Sequence, residues 1–172
     1  AAPAGTGLTA VILGLDIDVI RDLCNGTECD VANDNSPGQV VVSGAHNAVE
    51  DVLARAKDAG ARRAMPLALS VPVHCHMQEP AAAEMRDALA HIDITQPSAI
   101  FIANKTAKPM TDISEIKDEL VYQMTHGVRW RESVMEMHNL GITEQVEIGP
   151  GNVLTGLAGR VCPEINAKKL EI

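Results

Sequence analysis

Residues 8–69 read as six short elements in one order, and that order constrains the fold more than any other feature of the chain. Leu8 to Leu13 (LTAVIL) is an apolar run bounded by glycines, as a buried strand would be. Asp16 is placed to cap a helix with Val19, Ile20 and Leu23 on one face, stopping at Asn25-Gly26. Cys29 to Asp34 reads as a second strand. Ser36-Pro37-Gly38 is turn chemistry, because Pro37 sets φ and Gly38 permits a positive φ. Gln39 to Ser43, carrying Val40, Val41 and Val42, is a third strand. Ala45 to Ala59 spaces Ala45, Ala48, Val49, Val52, Leu53 and Ala56 along one helical stripe, with Gly60 following. Ala64 to Leu69 is a fourth strand. The order β-α-β-β-α-β predicts a ferredoxin-like small domain over residues 1–69.

From residue 70 to 172 the rhythm changes. Pro80 suits the first turn of a helix running to about His91. Ile100 to Ala103 reads as a strand, and Asp112 with Glu115 as a capping box for a helix burying Ile116, Leu120, Val121 and Met124. A helix from Trp130 to Leu140 ends at Gly141. Ile142 to Ile148 is a strand, and Gly149-Pro150-Gly151 turns into a helix bearing Val153, Leu154 and Leu157. Strands alternating with helices predict an α/β layer. A parallel sheet needs neighbouring strands, so residues 70–172 read as part of a larger α/β domain.

Composition narrows the function. Phe101, Tyr122 and Trp130 are the only aromatics among 172 residues, so the core is aliphatic and a base-stacking platform is excluded. A net charge of −9 argues against binding a nucleic-acid backbone. The basic clusters at Arg62–Arg63, Lys105–Lys108, Arg129–Arg131 and Lys168–Lys169 read as solvated surface. No apolar run approaches the ~20 residues of a membrane span. The opening AAPAGTG has neither the charged nor the apolar region of a secretory signal, and reads as a cut inside a longer protein or a processed end. Cys24, Cys29, Cys75 and Cys162 match no zinc spacing, which predicts reduced, buried thiols in a cytoplasmic protein.

Four groups of residues could carry chemistry. His74 follows a strand and Pro72, a rigid exit that would hold an imidazole for general acid–base work. Its position alone fits a hydrogen-bonded structural histidine as well. His74-Cys75-His76 would put two histidines on one strand face, but no third ligand has a suitable spacing, so no metal is expected. Cys75 as a nucleophile beside His74 is disfavoured, because strand neighbours point to opposite faces. Gly149-Pro150-Gly151 would aim the N–H groups of the following helix at an anion, or merely shape the turn.

Four strings carry a family resemblance: NDNSPGQVVVSG from Asn33 to Gly44, SVPVHC from Ser70 to Cys75, VYQMTHGVRW around Gln123, and EIGPG from Glu147 to Gly151. Together they resemble the C-terminal part of malonyl-CoA:acyl carrier protein transacylases, the acyltransferases of bacterial fatty-acid synthesis. The resemblance implies that residues 70–172 are the C-terminal part of an α/β-hydrolase-like acyltransferase domain. It implies His74 as catalytic histidine and Gln123 as the residue whose backbone carbonyl holds the other ring nitrogen. It implies Asn33 and Asn35 near the substrate, where they could bind a thioester carbonyl or a pantetheine amide; they could equally cap their own turn. Val73, just before the histidine, is implied to line the acyl pocket.

The family attacks its thioester with a serine in a Gly-x-Ser-x-Gly elbow, and no such string occurs here. The family's glutamine-rich oxyanion segment and its carboxylate-binding arginine are likewise upstream features without a match. The resemblance therefore implies malonyl transfer from malonyl-CoA to the phosphopantetheine thiol of acyl carrier protein, with the N-terminal part of the same enzyme as a necessary partner. No cofactor is implied, the coenzyme A thioester being substrate, and the chain alone is expected to be inactive. Two alternatives stay open: an acyltransferase fragment of a multidomain synthase, and a non-catalytic ferredoxin-like binding module.

Overall fold

The computed structural model describes residues 5–69 and 71–170, so Ser70 and the two ends of the chain lie outside the described residues. Strand β1 (Gly7–Leu13) leads to helix α1 (Ile17–Cys24), then to β2 (Cys29–Ser36) and β3 (Gln39–Ala45), helix α2 (His46–Asp58) and β4 (Arg63–Pro66). Asp16 caps α1 by accepting from the Asp18 amide at 2.9 Å, as its side chain predicts. The four strands form one antiparallel sheet in the order β2-β3-β1-β4. β4 is shorter than the Ala64–Leu69 expected from sequence, because the chain leaves the sheet after Pro66.

The principal core lies between this sheet and its two helices, built from Ala10, Ile12, Ile20, Val40, Val42, Val49, Val52 and Ala56. Each large aliphatic side chain contributes about 1.5–3 kcal/mol on burial. Val41 faces the opposite way from Val40 and Val42, yet it too is buried. The reason is that the sheet is covered on both sides: helices Trp130–Asn139 and Val153–Val161 of the second region pack against β2. An uninterrupted Val-Val-Val run is what a strand buried on two faces requires.

The second region opens with a loop, residues 71–75, and a single 3-10 turn (His76–Gln78) before helix α3 (Glu79–Ala90). The stretch before His74 is therefore not a strand, and His74 itself has φ +52°. Strands β5 (Phe101–Ile102) and β6 (Pro109–Met110) form a two-residue hairpin, less than the Ile100–Ala103 strand expected. Asp112 caps helix α4 (Ile113–Thr125) by accepting from the Glu115 amide. Helix α5 (Trp130–Asn139) follows, then β7 (Glu144–Glu147), α6 (Val153–Val161) and β8 (Asn166–Lys169). β7 and β8 pair in parallel with α6 between them, a single βαβ unit. Two small cores serve this region, one where α3 meets α4 (Ala82, Leu89, Val121) and one where α5 meets α6 (Val134, Ala158, Cys162, Ile165). The chain is a mixed α/β structure, and among the described residues no helix is long and apolar enough to cross a membrane.

Candidate active site

Residues 71–78 are pinned to the sheet by a series of polar bonds. The Val73 amide donates to Ser43 Oγ at 3.0 Å, and Ser43 Oγ also bonds Thr9 Oγ1 at 2.9 Å. The His76 amide donates to Asp30 Oδ2 at 3.0 Å, and His76 Nδ1 lies 2.6 Å from the same oxygen. Gln78 Nε2 donates to the Pro72 carbonyl. Between these anchors His74 adopts a left-handed backbone conformation, which costs a non-glycine residue on the order of 1–3 kcal/mol. Anchors on both sides hold it there.

His74 Nδ1 lies 2.7 Å from the backbone carbonyl oxygen of Gln123. A carbonyl only accepts, so Nδ1 carries the proton and Nε2 is left with a free lone pair. The Gln123 side chain is engaged elsewhere, its Oε1 accepting from Asn104 Nδ2 at 2.8 Å. His74, Val71, Val73, Gln78 and Met124 line an open, mainly apolar pocket of about 250 Å³. The structure thus brings together His74, Gln123 and Val73. Asn33 and Asn35 do not line that pocket: Asn33 lies within β2, where it pairs with Val41 and bridges Val128, and Asn35 is the strand's penultimate residue, at a break in its register.

The position of Gln123 depends on that bridge. Val128 donates to the Ala32 carbonyl at 2.9 Å and accepts from the Asp34 amide at 3.0 Å, so the chain leaving α4 is stitched alongside β2. Gly127 makes this possible: a Cβ there would sit 2.3 Å from the Val31 carbonyl oxygen. Ala32 and Asp34, the neighbours of Asn33, therefore make the backbone bonds that carry the Gln123 segment. Asn104, Gln78 and Asp30 were not singled out from the sequence, and none carried a local signal: Asn104 and Asp30 reach the site through contacts between distant segments, and Gln78 by folding back onto the Pro72 carbonyl.

The alternative nucleophiles are poorly placed. Cys75 is fully buried, and burial pushes its thiol up from the ordinary range. Ser43 is fully buried too, with its hydroxyl committed to Thr9 and Val73. His76 is turned to Asp30, and among the described residues no group of three or more His, Cys, Asp or Glu side chains could hold a metal.

The turn at Gly149-Pro150-Gly151 does not leave a free anion site. Glu147 turns back onto the start of α6, accepting from the Thr155 amide at 2.8 Å, the Thr155 hydroxyl at 2.8 Å and the Leu154 amide at 3.2 Å. These bonds hold its carboxyl below the usual carboxylate range.

No protein-family model matches the chain. It is 42% identical over 171 residues to the malonyl CoA-acyl carrier protein transacylase of Haemophilus influenzae, covering 97% of this chain and 55% of that protein. The corresponding protein of Escherichia coli K12 is 41% identical over 174 residues, covering 99% and 56%. The crystal structure of an acyl carrier protein S-malonyltransferase from Vibrio cholerae superposes with a TM-score of 0.93 at 40% identity, covering 98% of this chain and 56% of that one. A solved complex of a type II PKS acyl-carrier protein with its malonyl-transacylase gives a TM-score of 0.92 at 39% identity, covering 98% and 56%. The chain spans little more than half the length of these relatives. Along nearly its whole length it matches the C-terminal portion of malonyl CoA-acyl carrier protein transacylases.

Proposed function

We propose that this chain supplies the histidine side of a malonyl-transfer site, moving malonyl from coenzyme A to the phosphopantetheine thiol of acyl carrier protein. The observation that carries the reading is the bond from His74 Nδ1 to the Gln123 carbonyl beside an open apolar pocket. That bond leaves Nε2 as a base. It takes the proton of a serine hydroxyl as the serine attacks the thioester carbonyl, and returns a proton to the departing coenzyme A thiol. In the second half it takes the proton of the pantetheine thiol and returns one to serine. A neutral carbonyl fixes the ring without burying a second charge. Val73 lines the acyl pocket, and β2 holds the Gln123 segment through Ala32 and Asp34, on either side of Asn33. No cofactor is called on, since the thioester is itself activated.

Serine, oxyanion donors and a carboxylate-binding arginine come, on this reading, from the N-terminal portion of the same enzyme, for which the greater length of the relatives leaves room. That portion packs beside β7 and α6, where Ile148 and Val153 are 72% and 65% exposed. Residues 7–66, with their β2-β3-β1-β4 antiparallel order, are then a ferredoxin-like small domain set against an α/β-hydrolase-like one. Carrier protein as acceptor is supported by the solved neighbour that contains one. The intact enzyme on this reading works in the cytoplasm.

The test is intact mass of the purified chain after incubation with malonyl-CoA and an acid quench, with and without the N-terminal portion of a relative. No adduct on the chain alone, and malonylated carrier protein on recombination, is expected. Malonyl transfer by the chain alone would overturn the division of labour.

A further inference from the structure

Cys24 ends α1 and Cys29 opens β2, and their sulfur atoms lie 3.9 Å apart. Neither takes part in the acyl transfer proposed above. The short connection between them is held by one side chain: the Thr27 hydroxyl donates to the Cys24 carbonyl at 2.7 Å and accepts from the Cys29 amide at 3.1 Å. Gly26, at φ +74°, provides the reversal. The backbone at both cysteines is thus fixed with the two sulfurs facing each other. A disulfide needs about 2.05 Å between sulfurs, so closure requires side-chain rotation over roughly 2 Å and no exchange of partners.

Most buried thiols are inert because nothing reaches them. Here both cysteines line an open cavity of about 450 Å³, together with Arg21, Asp22, Thr27 and Asp30. A small polar oxidant fits that space. We propose that Cys24 and Cys29 form a dithiol site that a peroxide converts into a reversible intramolecular disulfide.

Cys24 reacts first. It is the less buried of the two, at 8% against 2% exposure. The hydrogen bond it shares with the Cys29 thiol holds its pKa below the ordinary range, assisted by Arg55 and opposed by burial and Asp30. The Cys24 thiolate attacks one peroxide oxygen, the O–O bond breaks, and the departing hydroxide takes the Cys29 proton to become water. Cys24 is then a sulfenic acid. The Cys29 thiolate attacks its sulfur, the S–O bond breaks, and the second hydroxide leaves as water with a proton from solvent. Two thiols and one hydrogen peroxide give one disulfide and two waters. Cys75 and Cys162 are buried and neither lines this cavity, so they stay reduced.

The experiment treats the native chain with hydrogen peroxide, removes the excess with catalase, and alkylates free thiols after denaturation. Two of the four thiols should escape alkylation, and dithiothreitol should restore all four. Cleavage after Glu28 should leave the Cys24 and Cys29 peptides joined until reduced. In Cys29→Ala the sulfenic acid on Cys24 should persist and be trapped by dimedone. Four alkylatable thiols after peroxide, a link involving Cys75 or Cys162, or Cys24 carried on to sulfinic acid without a link would each overturn the proposal.

Discussion

Arg131 Nε donates to Asp34 Oδ2 at 2.9 Å, joining α5 to β2 across 97 residues of sequence. Asp34 is 4% exposed and sits in the same stretch of β2 that pairs with Val128, the residue that follows α4 and Gly127. The ion pair and the backbone bridge together seat the second region on the sheet, so the Gln123 carbonyl meets His74 at a set distance.

Removing one member of this pair strands a charge. Arg131→Ala should cost about 2 kcal/mol, below the ~3–5 of a fully buried pair because the arginine side chain is a third exposed. Urea unfolding measures it, and a loss under ~0.5 kcal/mol would show that water replaces the guanidinium. Asp34→Asn carries a pH signature. Burial, partly offset by Arg131, raises the Asp34 carboxyl above its ordinary value. A raised folded pKa stabilises below the unfolded value of about 3.9 and loses that contribution as pH rises through the folded value. Asp34→Asn should remove this loss, flattening stability just above pH ~4 relative to wild type.

Gly127 lies where only hydrogen fits. Gly127→Ala would put a Cβ 2.3 Å from a backbone oxygen, so β2 and the strand-like segment at Val128 must separate. A destabilisation of about 1–3 kcal/mol is expected, with a weakened bond between His74 and Gln123. The histidine Nδ1–H resonance, followed by NMR, reads the second effect. An unchanged resonance would detach the bridge from the site.

His74 and Gln123 should respond differently to truncation in the intact enzyme. His74→Ala should lower transfer by roughly 10²–10⁴-fold, the usual worth of a general acid–base residue, while the fold persists. Gln123→Ala should cost less than about tenfold, since the bond to His74 uses the main chain. Steady-state rates with malonyl-CoA and carrier protein decide it. A loss in Gln123→Ala as deep as in His74→Ala would assign the work to the glutamine amide and its bond to Asn104.

Glu147 links acidity to the order of α6. Bonds from Thr155 and Leu154 lower its pKa in the folded chain. A lowered folded pKa stabilises above the unfolded glutamate value of about 4.3 and is lost as pH falls through the folded value. Melting temperature should therefore drop on acidification below that point, and less so in Glu147→Gln. Equal drops in both proteins would refute the link.

Residues 7–66 were legible because their signals are local. Asp16 caps its own helix, Pro37 and Gly38 make their own turn, and the stripe along α2 needs only a helical period. The second region was read less well where pairing is remote. β8 (NAKK) has no apolar alternation and becomes a strand only because α6 returns it beside β7. β6 is two residues beginning with Pro109, held only as the return strand of a hairpin with Phe101–Ile102. The anion site expected at the start of α6 is filled by Glu147, a residue of the same EIGPG string, whose direction no spacing could reveal.

From the sequence alone followed the order of the first six elements, the aliphatic core, the acidic surface and the family that His74 and Gln123 belong to, because local periodicity, caps and strings encode these. Only the tertiary structure decided that His74 takes a left-handed backbone in a loop and set its Nδ1 2.7 Å from the Gln123 carbonyl. It alone left Asn33 and Asn35 off the lining of the pocket beside His74, and set two cysteines sulfur to sulfur. Those are relations between segments far apart in the chain or across a turn, and they exist only once packing has fixed the backbone.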